Sequence, residues 1–367
     1  MTITYSRVLD SGSEQSGFFE PLPYPIYFVH TKLSQWPELI GNKDLPNDVF
    51  PILKRCVGGS DIWAIQTYIF LKQRGLDVRI TSKFIPGQIC IIPSYDLAVK
   101  SLPFNSYTVA CRLDAARPEI CEQQTVLNHL CAQKPTDHFL MQWPQTYLHP
   151  RDRSRGSQLE TLAFKGTLNN LAEPFQDASF HEQLQEIGIT FQVVPDIAKE
   201  FLYDYWRDYS TVDAVLAIRL MAENDFKLKP PIKLINSWLA GCPALLGPEP
   251  TFRALRKSEL DYIEIRSPKD AIAALRKLKE NPGLYRAMVE NGLERAEEFT
   301  QDRIAMDWYG YLKNFVIPGY EQWKQQSLPA KVLGRPVKFV SRMMRHKQEL
   351  KNYLTQREHS RKVYGLD

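Results

Sequence analysis

Short apolar runs alternate with amphipathic stretches along this chain, and the alternation predicts its elements. Residues 212–218 read as a buried strand with Arg219 at its carboxyl end. A polar loop carrying Lys229 then leads into Pro230-Pro231, which suits a first helical turn, where the missing N–H costs nothing. Ile232, Ile235, Trp238 and Leu239 follow at helical spacing, Gly241 ends the helix and Pro243 prevents its continuing. Residues 244–247 form a second short strand, with a further helix from Thr251. The same rhythm predicts strands over 24–30, 78–80, 89–92, 107–111, 139–143, 162–165 and 190–194. Helices are expected over 60–75, 119–132, 180–187 and 284–299, with one more after a capping pair, Ser267 and Asp270. Strands alternating with helices in both halves imply an α/β fold built twice.

Length agrees, since 367 residues exceed the usual single domain. The expected division is a loose N-terminus (1–20), an N-terminal domain (21–145), a linker (146–160), a C-terminal domain (161–317) and basic C-terminal helices (318–367). The linker is marked by Pro150 and three arginines, Arg151, Arg153 and Arg155. No apolar stretch is long enough to span a bilayer, and the polar N-terminus is no secretory signal. The six cysteines lack C-x-x-C spacing, so a reducing cytoplasm is expected. Residues 320–367 hold 11 Lys and Arg against 4 Asp and Glu, while the rest of the chain is slightly acidic. A basic tail on an acidic body suggests an anionic membrane surface as a partner, with a solvated helix face as the equal alternative. No nucleic acid is expected.

Ligands of doubly wound sheets gather outside the carboxyl ends of the strands, which selects four places. At the first, His30 follows a strand and Gly58-Gly59-Ser60-Asp61 forms a turn that lets backbone approach a ligand. Asp61 there is either a proton acceptor or a helix cap. At the second, Arg112 and Asp114 follow the 107–111 strand two residues apart. In an extended segment they share a side, as a reactive pair or as a structural ion pair. At the third, Lys165 and Gly166 end the 162–165 strand, with Lys165 read as a surface residue in preference to a phosphate ligand. The fourth gathers Arg219, Lys229 and Lys233 around a helix N-terminus, whose free N–H groups and dipole suit a diphosphate. Glu249, at the start of the next helix, is placed to accept from ribose hydroxyls or to serve the helix dipole. No D-x-D and no zinc-spaced cluster occurs, so no metal and no obligatory cofactor is expected.

The stretch KPPIKLINSWLAGCPALLGPE, with residues 254–300 after it, resembles the donor-binding half of GT-B glycosyltransferases, in particular cyanobacterial proteins of family 1. The resemblance covers roughly residues 24–310. It implies two Rossmann-like domains facing a cleft, C-terminal helices crossing back to the first domain, and transfer of a sugar from a nucleoside-diphosphate sugar to a hydroxyl acceptor. On that scaffold His30, Asp61 and Asp114 become candidate catalytic groups, and Gly58, Gly59, Ser60 and Arg112 cleft-loop residues. Arg219, Lys229, Lys233, Asn236, Glu249, Gly166 and Lys165 become donor ligands. Retaining relatives carry two glutamates separated by seven residues. Leu228 and Asn236 stand there in this chain, leaving Lys233, Asn236 and Glu249 as local substitutes. A nucleotide-sugar epimerase and a non-catalytic sugar-nucleotide or membrane-docked protein are the alternative readings.

Overall fold

The structure, a computed structural model, describes residues 19–41, 44–193, 199–219 and 227–363. It divides into two compact units. One takes the chain up to Gln142 and again from Asp302, and the other is Trp143–Gln301.

The first unit carries a sheet of six strands: β1 (Ile26–Val29), β2 (Val78–Thr81), β3 (Ile89–Pro93), β4 (Tyr107–Cys111), β5 (Gln123–Val126) and β6 (Asp137–Phe139). All pairs are parallel, in the order β2-β1-β3-β4-β5-β6. Every residue of β3, β4 and β5 is buried, the pattern of a sheet covered on both faces. The second unit has five parallel strands: β7 (Thr161–Phe164), β8 (Thr190–Val193), β9 (Ala214–Ala217), β10 (Ala244–Leu246) and β11 (Ile263–Glu264), in the order β11-β10-β9-β7-β8. The order of the strands therefore reverses once in each sheet, between β1 and β3 and between β7 and β9. Two parallel sheets, each with helices in its connections, are the two Rossmann-like domains expected.

Several elements differ from the sequence reading. Residues 119–132 hold the buried strand β5 and a 3-10 turn, His129–Cys131, where a helix is expected. Two glutamines open β5, and their polarity hides it. Buried in the sheet, the Gln124 amide donates to Asp137 at 2.7 Å, and that of Gln123 to the Tyr107 hydroxyl at 2.8 Å. The last strand lies at Asp137–Phe139, ahead of the apolar residues 139–143 that suggest it. The helix Lys199–Arg207, although amphipathic, and the two-residue β11 are not among the expected elements. The final residue of the strand expected over 190–194 lies outside the described residues.

The arginine-rich stretch 146–160 is docked on the second unit. Asp213, fully buried, accepts from Arg151 and Arg155 and from the backbone N–H groups of Glu160 and Thr161. Its carboxyl is held below the usual range, because these donors outweigh a burial that alone would raise it.

After Gln301 the chain forms helices Gln301–Tyr311, Ile317–Lys324 and Arg335–Val363, which pack on the first unit. Trp308 is fully buried beside Phe28 and Trp63, and Tyr320 donates to the Gly87 carbonyl at 2.8 Å. Gly319 lets its helix lie against β4, since a Cβ there would stand 2.0 Å from the Tyr107 hydroxyl oxygen. All six cysteines are free and buried. Among the described residues no helix is long and apolar enough to cross a membrane.

Candidate functional site

The strand order reverses between β7 and β9, and in doubly wound sheets ligands gather outside the carboxyl ends of the strands at such a reversal. β7 delivers Lys165 and Gly166 there, and β9 delivers Ile218 and Arg219. The helix Ile232–Ala240 begins beside them, with Pro231 as its N-cap, and so places Lys233 in the first turn. It ends where Gly241 adopts φ +69°, a left-handed conformation that glycine takes without a side-chain penalty.

Lys233 turns its ammonium toward the end of β7. Nζ donates to the Lys165 carbonyl at 2.7 Å and lies 4.4 Å from the centre of the Phe164 ring. A Cβ on Gly166 would stand 2.6 Å from this Nζ and 3.0 Å from the Phe164 ring, so the absence of a side chain at 166 makes room for the ammonium. Burial, and secondarily the charge of Arg219, lowers the Lys233 pKa to about 7, although Glu249 opposes the shift. Arg219 reaches across to Glu249, Nη1 to Oε2 at 3.3 Å. Glu249 is almost fully buried, and its Oε1 has no hydrogen-bond partner among the described residues. Burial raises its pKa, against the pull of Arg219, Lys233 and Lys229. The structure thus brings together Gly166, Arg219, Lys233 and Glu249, with Lys229 near enough to act on the Glu249 carboxylate.

Two neighbours have other uses. Lys165 is half-buried and not on the surface as expected. Strand alternation sends it to the far side, where Nζ donates to the carbonyls of Tyr205 at 3.1 Å and Asp208 at 2.6 Å and lies over the Tyr205 ring. Burial lowers its pKa to about 8. Asn236 accepts from the Gln145 backbone N–H at 3.0 Å and so fixes the segment entering this unit.

In the first unit, β1 ends at His30 and the turn Gly58-Gly59-Ser60 starts a helix. Asp61 joins them: Oδ1 lies 2.9 Å from His30 Nε2, and Oδ2 accepts from the Gly58 N–H at 3.3 Å. Asp61 is both a capping group and the more exposed member of a His–Asp pair, its side chain 25% accessible against 2% for His30. Gly59 approaches Leu113 so closely that a Cβ would stand 3.0 Å from it. Beyond β4 the chain bends at residues 114–116, and Arg112 and Asp114 have different partners. Arg112 is buried, donates to the Ala115 carbonyl at 3.2 Å, and has its pKa lowered by burial. Asp114 is half-buried and accepts from the Tyr95 hydroxyl at 2.5 Å. Tyr95 and Tyr353, which donates to the Asp114 carbonyl at 3.0 Å, carry no recognisable motif and were not anticipated. Among the described residues no three His, Cys, Asp or Glu side chains gather as they would around a metal ion.

No family model matches the chain, and no curated protein is similar to it in sequence. Solved structures are similar to it in fold. A sucrose-phosphate synthase from Thermosynechococcus elongatus superposes with a TM-score of 0.52 at 10% identity, covering 80% of this chain and 100% of that one. Anabaena HepE, solved in complex with UDP and glucose, gives 0.48 at 9% identity over 79% of this chain and 99% of its own. AviGT4, a glycosyltransferase of avilamycin A biosynthesis, gives 0.46 at 11% identity over 82% and 98%. The chain has the two-domain, twin-Rossmann fold of GT-B glycosyltransferases.

Proposed function

We propose that this protein is a glycosyltransferase that moves a sugar from a nucleoside-diphosphate sugar to a hydroxyl acceptor. The observation that carries the reading is the enclosed Lys233 ammonium beside Gly166, with Arg219 at the same strand ends. Departure of a nucleoside diphosphate leaves negative charge on the phosphate oxygens. Fixed cations in a partly dry crevice stabilise that charge better than water does, because they need no reorganisation. Lys233, Arg219 and Lys229 supply the cations, and no obligatory metal is required in this scheme. The unpartnered Glu249 Oε1 is a natural acceptor for a ribose hydroxyl, which would satisfy a buried polar atom otherwise left without a partner. On the first unit, Asp61 is oriented by His30 and is the group proposed to take the acceptor's proton, with Asp114 the second candidate. The fold shared with a sucrose-phosphate synthase supports a sugar transferase, although fold alone does not fix an activity.

The test is thermal unfolding of wild type and Lys233→Ala with UDP, GDP, ADP, TDP or CMP. A ligand that binds only the folded state raises the midpoint by mass action. One diphosphate is expected to stabilise wild type and to lose that effect in the variant. Stabilisation by none of them at millimolar concentration would remove the donor-site assignment. With the base known, product analysis on the matching sugar nucleotides distinguishes transfer from epimerisation and from binding without turnover.

A further inference from the structure

The C-terminal helix Arg335–Val363 and the turn before it, Ala330–Gly334, have one face with an evident task. Phe339 is buried and packs on Phe104, Arg342 pairs with Glu122 and Lys338 reaches the same carboxylate, while Tyr353 bonds the loop after β4. Several of the tail's cations are therefore engaged by the protein's own acidic groups, and bulk positive charge is a weaker argument for a partner than composition suggests.

The opposite face is the anomaly. Leu333, Val337, Val340 and Met344 are 67%, 70%, 45% and 63% exposed. Their spacing of four, three and four residues puts them on one line along the helix. A helix already docked by its other side would ordinarily present polar residues there, and a contiguous exposed apolar stripe marks an interaction surface. The line continues at the same spacing into Lys347 and Lys351, both exposed, and meets no carboxylate before Glu358, two turns further on.

We infer that this face lies on an anionic membrane surface, with the four apolar side chains entering the headgroup boundary and the two lysines meeting lipid phosphates. An apolar stripe with cations along it is the composition of an interfacial helix, and the length and polarity of the whole exclude spanning. A second copy of the chain is a poorer occupant. Paired parallel, the two faces oppose lysine to lysine; paired antiparallel about the middle of the line, Lys347 and Lys351 of each copy face Val337 and Leu333 of the other.

The test uses the full chain in co-sedimentation with vesicles of phosphatidylcholine, alone or mixed with phosphatidylglycerol, and does not depend on the donor-site reading. Wild type is expected to sediment with the mixed vesicles, less so as salt rises, and weakly with phosphatidylcholine alone. Val337→Glu with Met344→Glu should lower binding more than tenfold. Lys347→Gln with Lys351→Gln should lower it by on the order of fivefold per lysine. Because all four positions are exposed, the variants should keep the wild-type melting temperature, which separates lost binding from lost folding. No sedimentation with mixed vesicles, or equal binding by the variants, overturns the inference. A wild-type dimer in analytical ultracentrifugation that Val337→Glu with Met344→Glu makes monomeric would assign the face to a second copy, and would also overturn it.

Discussion

Replacing Lys233 by methionine removes an ammonium that the folded protein holds at a cost, so the ligand-free protein should become more stable. The stem and its packing beside Phe164 are kept, and the lost hydrogen bond to the Lys165 carbonyl is the offsetting term. Lys233 falls from 10.5 to about 7 on folding. The full shift corresponds to about 5 kcal/mol, which the partial exposure of the residue and the lost hydrogen bond reduce to about 2–3 kcal/mol at pH 7. The sign follows from proton counting. Between pH 7 and 10.5 the unfolded chain holds the Lys233 proton more tightly than the folded one, so wild-type stability rises with pH across that window. The variant lacks this contribution. The assay is urea unfolding of both proteins at pH 7 and pH 9. The variant's advantage is expected at pH 7 and to shrink by about 1–2 kcal/mol at pH 9. Taking the difference between the two proteins cancels the other groups that titrate there, Lys165 included. A variant less stable than wild type at pH 7, or an advantage independent of pH, would refute the argument that the ammonium is held at a cost.

The same reasoning predicts that binding a nucleoside diphosphate at pH 8 takes up a proton as Lys233 regains its charge; calorimetry in buffers of different ionisation enthalpy should detect it, and Lys233→Met should abolish it. Gly166→Ala drives the ammonium from its place, so the thermal shift given by the stabilising nucleotide should fall while the ligand-free stability changes by no more than about 1–2 kcal/mol. Asp213→Ala leaves two guanidinium groups and two N–H groups without their acceptor and should cost about 3–5 kcal/mol in denaturant unfolding. In wild type, the stabilisation that Asp213 supplies is present above the ordinary carboxylate pKa and is lost as pH falls through its lowered value. Gly319→Ala forces a Cβ against the buried Tyr107 hydroxyl and should cost about 1–3 kcal/mol, with increased protease sensitivity after residue 301.

The linear sequence determined the repeated α/β pattern, because strands buried on both faces need unbroken apolar runs, and β3, β4, β9 and β10 carry them. It also determined the helix start at Pro230-Pro231 and its stop at Gly241, since local backbone geometry depends on those residues alone. Grouping Arg219 with Lys233 was legible too, because a strand end followed by a basic helix start is a local pattern. Tertiary structure decided the rest. β5 is a strand because Tyr107 and Asp137, distant in sequence, accept from the N–H groups of its glutamine amides. Lys165 points away from Lys233 because strand alternation fixed its side and the Tyr205 and Asp208 carbonyls were waiting there. Gly166 and Gly319 show their purpose only when another element comes within 3 Å of the missing Cβ, and spacing along a chain has no access to that distance.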